Sequence, residues 1–284
     1  MNTRLHFTKY RISTITSNVD VMIDNIKTPI NLYRLFENIN INDTDANFVY
    51  TYCIDKSTGC KICRGELPKK KKKRNNNNEK TFDNQISFVY RVKQDYYPNV
   101  KVFKNGNIQM TGHRCIEDIS GTINCLMSEM RRISKIRDDL FSIDLDNVKF
   151  DYDNFQINMI NTDFTVYTND TDNVQFMIKR KVLHDILIDS EDIIARFDPA
   201  TYPGVKIEYW WDKSTTERNG SSYHDKRAYK SKTLTENGVQ KITIAIFESG
   251  KVLITGGVSI EQIDEAYAWI CNVLDKNSDL INKS

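Results

Sequence analysis

The side chains with most chemistry to offer in this 284-residue chain are six cysteines, four histidines and several paired carboxylates. Cys60 and Cys63 form CKIC close to Cys53, a spacing that suits two ligands of a zinc ion. A closed site needs four ligands, and no second Cys/His pair follows at finger spacing, so free thiols in a reducing compartment are expected. Asp138-Asp139 and Asp151-x-Asp153 could serve a metal-dependent nuclease, but they fall where two halves of the chain join. His113 and His184 read as solvated or locally bonded. The chain has no phosphate-cradling glycine loop and no nucleophile motif, so neither an enzyme nor a cofactor is expected.

A different pairing is more informative, because it recurs. Offset by 144 residues, VKVFKNGNIQMTGHRCIEDI lies over ITIAIFESGKVLITGGVSIEQI, and Phe103, Gly106, Thr111, Gly112 and Glu117 meet Phe247, Gly250, Thr255, Gly256 and Glu261. Alternating β-branched residues before Asn105-Gly106 and Ser249-Gly250 predict a strand, a tight turn and a second strand in each copy. Ile116, Ile119, Ile123 and Met127, like Ile260, Ile263, Tyr267 and Ile270, recur at helical spacing. A hairpin and a helix that bury their apolar sides on each other give an α+β unit whose sheet is covered on one face only. Upstream, an early strand (residues 11 to 16; 156 to 161) and a short helix (31 to 38; 181 to 189) complete each unit. The expected repeats are residues 1–137 and 138–284. The acidic stretch 138–153 between them reads as a linker or as a strand approach with charged edges, and the second is favoured.

Two polar insertions interrupt the pattern. Residues 55–81 contain KKKKKRNNNNEK, which cannot bury apolar surface and is expected to be disordered, and residues 212–240 are similarly polar. The lysine run reads as a solvated charge run, a nuclear localisation signal or a phosphate tether. Formal charge is only +2, so any nucleic-acid role rests on local charge. No apolar run is long enough for a membrane helix and the start of the chain lacks a signal-peptide pattern, so an intracellular soluble protein is expected.

The segment IAIFESGKVLITGG, preceded by FDPATYPGVKIEY, resembles the second repeat of TATA-box-binding proteins. VFKNGNIQMTG and FDNQISFVYRV are most similar to the divergent members of that family in large nucleocytoplasmic DNA viruses. The resemblance implies two pseudo-symmetric repeats forming a saddle, with a concave antiparallel sheet and helices on the convex side. It implies minor-groove binding and bending of double-stranded, AT-rich promoter DNA in transcription initiation, without enzymatic activity. A transcription factor IIB-like protein and RNA polymerase are the implied partners, with no membrane. The implied place of action is the host nucleus or a cytoplasmic viral factory, with packaging in the virion as a further location.

By the same resemblance Phe247 and Tyr202 form the aromatic wedge of the second half. Phe103 stands in the first, joined by Phe82, with Phe48 as the alternative. Leu253 and Thr255 should flank the second wedge, as Gln109 and Thr111 flank the first, because side chains on one strand face fall two apart. Asn158 and Ile160 take the family's central amide and apolar positions, with Tyr10 and Ile12 as their first-half counterparts. Lys251 is expected on phosphate, together with Lys104, Lys179, Arg180, Lys181 and Lys241. Tyr10, Lys101 and Gln109 depart from the family pattern. They leave open a second reading, a protein-interaction module that has lost strict TATA binding.

Overall fold

A computed structural model describes residues 4–23, 25–41, 47–54, 60–68, 84–141, 150–151, 155–168, 174–191, 193–215, 220 and 238–283. The chain opens with β1 (His6–Phe7) and the long β2 (Arg11–Asp20), in which Ile15, Ser17 and Val19 are buried at alternate positions. Two short strands, β3 (Met22–Ile23) and β4 (Ile26–Lys27), lead to α1 (Leu32–Asn38), whose first turn is capped by the Asn31 side chain. Then come β5 (Phe48–Ile54), β6 (Lys61–Gly65), β7 (Gln85–Tyr90), the hairpin β8 (Asn99–Phe103) and β9 (Asn107–His113), and α2 (Ile116–Ser134).

After β10 (Phe150–Asp151) the pattern repeats: β11 (Gln156–Tyr167), α3 (Arg180–Asp189), β12 (Ile194–Arg196), β13 (Val205–Asp212), the hairpin β14 (Val239–Ile246) and β15 (Lys251–Gly257), and α4 (Ile260–Lys276). A final turn of helix, α5 (Ser278–Ile281), follows. β10 pairs with β3, so the acidic joining segment does supply a strand.

Packing gathers these elements into two compact units, residues 15–157 and residues 1–14 with 158–284. We call them the first and second units. The first carries an antiparallel sheet in the order β2-β9-β8-β7-β5-β6, the second one in the order β11-β15-β14-β13-β12 with β1 on β11. Each is the same plan, in which the long first strand lies beside the outgoing strand of the hairpin. The start of the chain, which similarity assigns to the first repeat, packs with the second unit. Leu5 N–H donates to Asp275, Thr8 N–H to Thr165 O, and Tyr10 Oη to Asp264 Oδ1 at 2.5 Å.

In both units the sheet is apolar on the helix side. In the first, Val100, Val102, Ile108 and Met110 face the Ile119, Ile123, Leu126 and Met130 stripe of α2. In the second, Ile242, Ile244, Val252 and Ile254 face Ile263, Ala266 and Ile270 of α4. Each buried Val, Ile, Leu or Met contributes about 1.5–3 kcal/mol, so these stripes hold the layers together. The start of α4 is further fixed by its N-cap, Ser259, which accepts from Gln262 N–H, while Gln262 Oε1 accepts from Val258 N–H just outside the helix. The two turn glycines repeat as well. Gly106 (φ 85°) and Gly250 (φ 76°) adopt a conformation that favours glycine, and a Cβ on either would collide with a backbone carbonyl oxygen, that of Thr28 or of Phe176.

One element departs from the expectation of disorder. Lys61–Gly65, inside the first insertion, is a strand paired residue for residue with Tyr50–Ile54. Arg64 fixes it, donating to the carbonyls of Phe36, Glu37 and Ile39 at the end of α1. These carbonyls have no partner within the helix, which is why a guanidinium binds there. The lysine run Lys69–Arg74 lies outside the described residues.

Candidate nucleic-acid interface

Strand alternation assigns the residues of each sheet's other face. In the second unit the ladder sets Thr243 against Thr255 and Ala245 against Leu253, with β11 contributing Asn161 opposite Thr255, Asp163 opposite Leu253 and Thr165 opposite Lys251. Leu253 and Thr255 are half-exposed between fully buried Val252 and Ile254. An apolar residue and a threonine on the open side of a sheet match a surface for the minor groove, where hydrogen-bond information is sparse and shape dominates.

At one end of this face Phe247 directly follows β14 and Tyr202 precedes β13. Their ring centroids are 5.7 Å apart with planes tilted by 56°, and both rings are partly exposed. The arrangement depends on Gly204, where a Cβ would stand 2.9 Å from Tyr202 Cε1 and 3.3 Å from Phe247 Cε1. Lys206 Nζ lies 3.9 Å from the Tyr202 ring centroid, a cation–π contact that stiffens the exposed tyrosine. Arg180, expected on phosphate, instead braces the pair. It donates to Pro203 O and, at 2.6 Å, to Glu248 Oε2 beside Phe247. Glu248 also accepts from Lys283, and these two cations hold its carboxyl below the usual range. Lys181 is tied to Asp185 within α3 at 2.6 Å.

In the first unit the corresponding rows are Thr16–Thr111–Asn99 and Asn18–Gln109–Lys101, with Phe103 half-exposed at the end of β8 opposite Gln85. This face is richer in amides. Phe82, the expected partner of Phe103, lies outside the described residues. The alternative, Phe48, is 1% exposed and packs edge-on between Phe88 and Tyr90 at 5.4 and 5.2 Å, so it is a core residue.

The first strand of each unit corrects three expectations. Ile160 is completely buried, because the β11–β15 ladder slips between Ile160 and Asn161 and gives Asn161 the half-exposed place opposite Thr255. The β2–β9 ladder slips at the equivalent step, Ile15/Thr16, which makes Ile15 the counterpart of Ile160 in place of Ile12. Ile12 itself is half-buried. Tyr10 turns to the helix side, where its ring meets Tyr267 edge-on at 5.4 Å. Burial first, and then the Asp264 carboxylate, push its hydroxyl up to about 12. Asn158 is exposed, ahead of the ladder with β15.

Sequence reading overlooked Arg11 and Asp163. Arg11 Nε donates to both Asp163 oxygens, at 2.9 and 3.1 Å, and Lys251 Nζ approaches the same carboxylate at 3.4 Å. The signal was a charged residue within the alternating run QINMINTDFTVY, on the parity of Asn161. Elsewhere, His113 is buried against Thr122 with Nε2 2.9 Å from its hydroxyl, and desolvation pushes its pKa down to about 4. Among the described residues no three His, Cys, Asp or Glu side chains gather as a metal site, and no helix is long and apolar enough to cross a membrane.

Three comparisons bear on this arrangement. The family model described as transcription factor TFIID, or TATA-binding protein, matches residues 213–277, which include the β14–β15 hairpin and α4. A protein described as TATA-box-binding protein-like from Acanthamoeba polyphaga mimivirus is 27% identical over 202 residues, covering 69% of this chain and 49% of that protein. The chain thus spans about half the length of this relative. The solved structure of Methanococcus jannaschii TBP aligns with 95% of this chain and 99% of its own, at 14% identity and a TM-score of 0.49. The family match and the viral relative bear out the resemblance: the chain is similar to TATA-box-binding proteins, in particular to a divergent viral one.

Proposed function

We propose that this TATA-box-binding-protein-like chain is a non-enzymatic transcription factor that binds and bends AT-rich promoter DNA through the minor groove. The observation that carries the reading is the Tyr202–Phe247 pair, held part-exposed at the end of a sheet face that continues into Leu253 and Thr255. Unstacking a base step costs about a few kcal/mol, and two rings braced by Gly204, Lys206 and Arg180 lose little further freedom on insertion. Phe103, Gln109 and Thr111 repeat the geometry in the first unit, with Phe82 as the proposed partner ring. Asn158 is proposed as a contact close to the edge of the face. Lys251 and the exposed Lys104, Lys179 and Lys241 supply phosphate contacts.

In this reading the opposite, helical sides and the strand-end loops meet a transcription factor IIB-like protein and RNA polymerase. The site of action is the host nucleus or a viral factory. Fluorescence anisotropy with TA-rich and GC-rich duplexes at two salt concentrations tests the proposal. Tighter binding to the TA-rich duplex, weakening steeply with salt, is expected, and equal weak binding to both would refute it.

A second reading rests on the amide and charged side chains of the first unit's face. If Asn18, Lys101 and Gln109 serve a protein partner, substituting them leaves DNA affinity unchanged.

A further inference from the structure

The candidate face of the second unit contains a carboxylate, which repels a polyanion unless it serves a cation. Asp163 is 9% exposed and lies under two cations, so the cluster Arg11–Asp163–Lys251 has a net charge of +1. Burial alone would raise the Asp163 pKa, but the hydrogen bonds and charges of Arg11 and Lys251 outweigh it, and the group stays ionised. The Arg11 side chain is 75% exposed, and only its Nε is used by Asp163, so both terminal amino groups remain directed to solvent. Asp163 shares the parity of half-exposed Asn161 and Thr165, whereas Thr162, Phe164 and Val166 are buried on the helix side, so the bond to Asp163 draws the Arg11 guanidinium to the open side. Asp163 is level with Leu253 and one pleat from Thr255, which sets the guanidinium beside the two residues most suited to a groove wall.

We propose that Arg11 is a minor-groove-reading residue held in place by Asp163, and that its free amino groups recognise the acceptor-rich, strongly negative floor of a narrow A·T-rich groove. The inference rests on the DNA-binding reading above. A guanidinium suits this task because it is planar, always charged and weakly hydrated, and narrow grooves concentrate negative potential. Fixing Nε removes much of the rotamer freedom that an exposed arginine would lose on binding. Asp163 is a positioning residue, and Lys251 balances its charge.

The sign of one substitution separates positioning from simple charge. Asp163→Asn removes a negative charge from a DNA-binding face, so electrostatics alone predicts tighter binding. Positioning predicts weaker binding to a TA-rich duplex, by about threefold, and no weakening once Arg11 is already alanine. Arg11→Ala should weaken TA-rich binding about tenfold, lower the salt slope by about one, and reduce the preference over a GC-rich duplex. Arg11→Lys should keep the salt slope and lose the preference.

Anisotropy titrations of the full chain and these variants on both duplexes give the readout, with thermal melting as the control for folding. Tighter binding by Asp163→Asn, or equal weakening of both duplexes by Arg11→Ala, overturns the inference while leaving DNA binding intact. Absence of binding by the unaltered chain to either duplex overturns the DNA-binding reading and this inference together.

Discussion

The two units have one plan and different open faces. In the second, the row beside the hairpin reads Asp163–Leu253–Ala245–Lys206, apolar at its centre and charged at its ends. In the first, the equivalent row reads Asn18–Gln109–Lys101–Ser87, polar throughout. The helix-facing rows do not diverge in this way, since Val100 and Val102 answer Ile244 and Ile246. Packing against a helix constrains the inner face of each sheet, while the outer face is free to follow the ligand. The first unit has also gained β6, which covers the outer edge of β5, whereas β12 is the outermost strand of the second unit's sheet.

The largest effect should separate the core from the face within the first unit. Phe48→Ala removes a buried ring and should cost about 3–5 kcal/mol of stability in chemical denaturation, against less than about 1 kcal/mol for half-exposed Phe103→Ala. Equal losses would mean that Phe103 is a packing residue and not a wedge.

A second contrast lies at the hairpin ends, where buried His113 occupies the place of Gly257. Its folded pKa of about 4 lies below the ordinary 6.5, so the unfolded chain takes up a proton first as pH falls. Its contribution is complete above about pH 6.5 and is lost progressively towards pH 4, up to about 3 kcal/mol. Melting curves across this range should show that slope, and His113→Gln should flatten it. An unchanged slope would mean that the ring is not kept neutral.

Smaller effects concern binding. Phe247→Ala should weaken affinity for a TA-rich duplex by about 1–3 kcal/mol, the range for aromatic stacking on a base, while the melting temperature stays nearly constant. Phe103→Ala should do the same less strongly, because its surroundings are more polar. A larger effect at Phe103 would reverse the assignment of the dominant half. Gln109→Leu, which makes the first face resemble the second, should tighten TA-rich binding by less than about 1 kcal/mol through added apolar contact. Weaker binding would identify Gln109 as a reader of the groove.

How much of this was legible in the sequence depended on local periodicity. The hairpins were, because Gly106 and Gly250 mark turns that only a narrow set of residues can make, and the helices were, because their stripes are regular. The first strands were legible as strands, but their faces were not. The ladder skips Gly112 opposite Ile15/Thr16 and Gly256 opposite Ile160/Asn161, an irregularity of pairing that the run of one strand does not carry, so the faces of Ile12, Ile160, Arg11 and Asp163 are fixed only in the sheet. β6 was hidden because its stability comes from pairing with β5 and from Arg64 on α1, contacts distant in sequence. For Arg180, sequence gives the charge and not the partner, Glu248.

The central claim is that the braced aromatic pair of the second unit bends DNA, and energy transfer between the ends of a labelled TA-rich duplex tests it most directly. The unaltered chain should bring the dyes closer, and Phe247→Ala should largely abolish the change at protein concentrations that still saturate the duplex. A bend that survives the substitution at full occupancy would contradict the account.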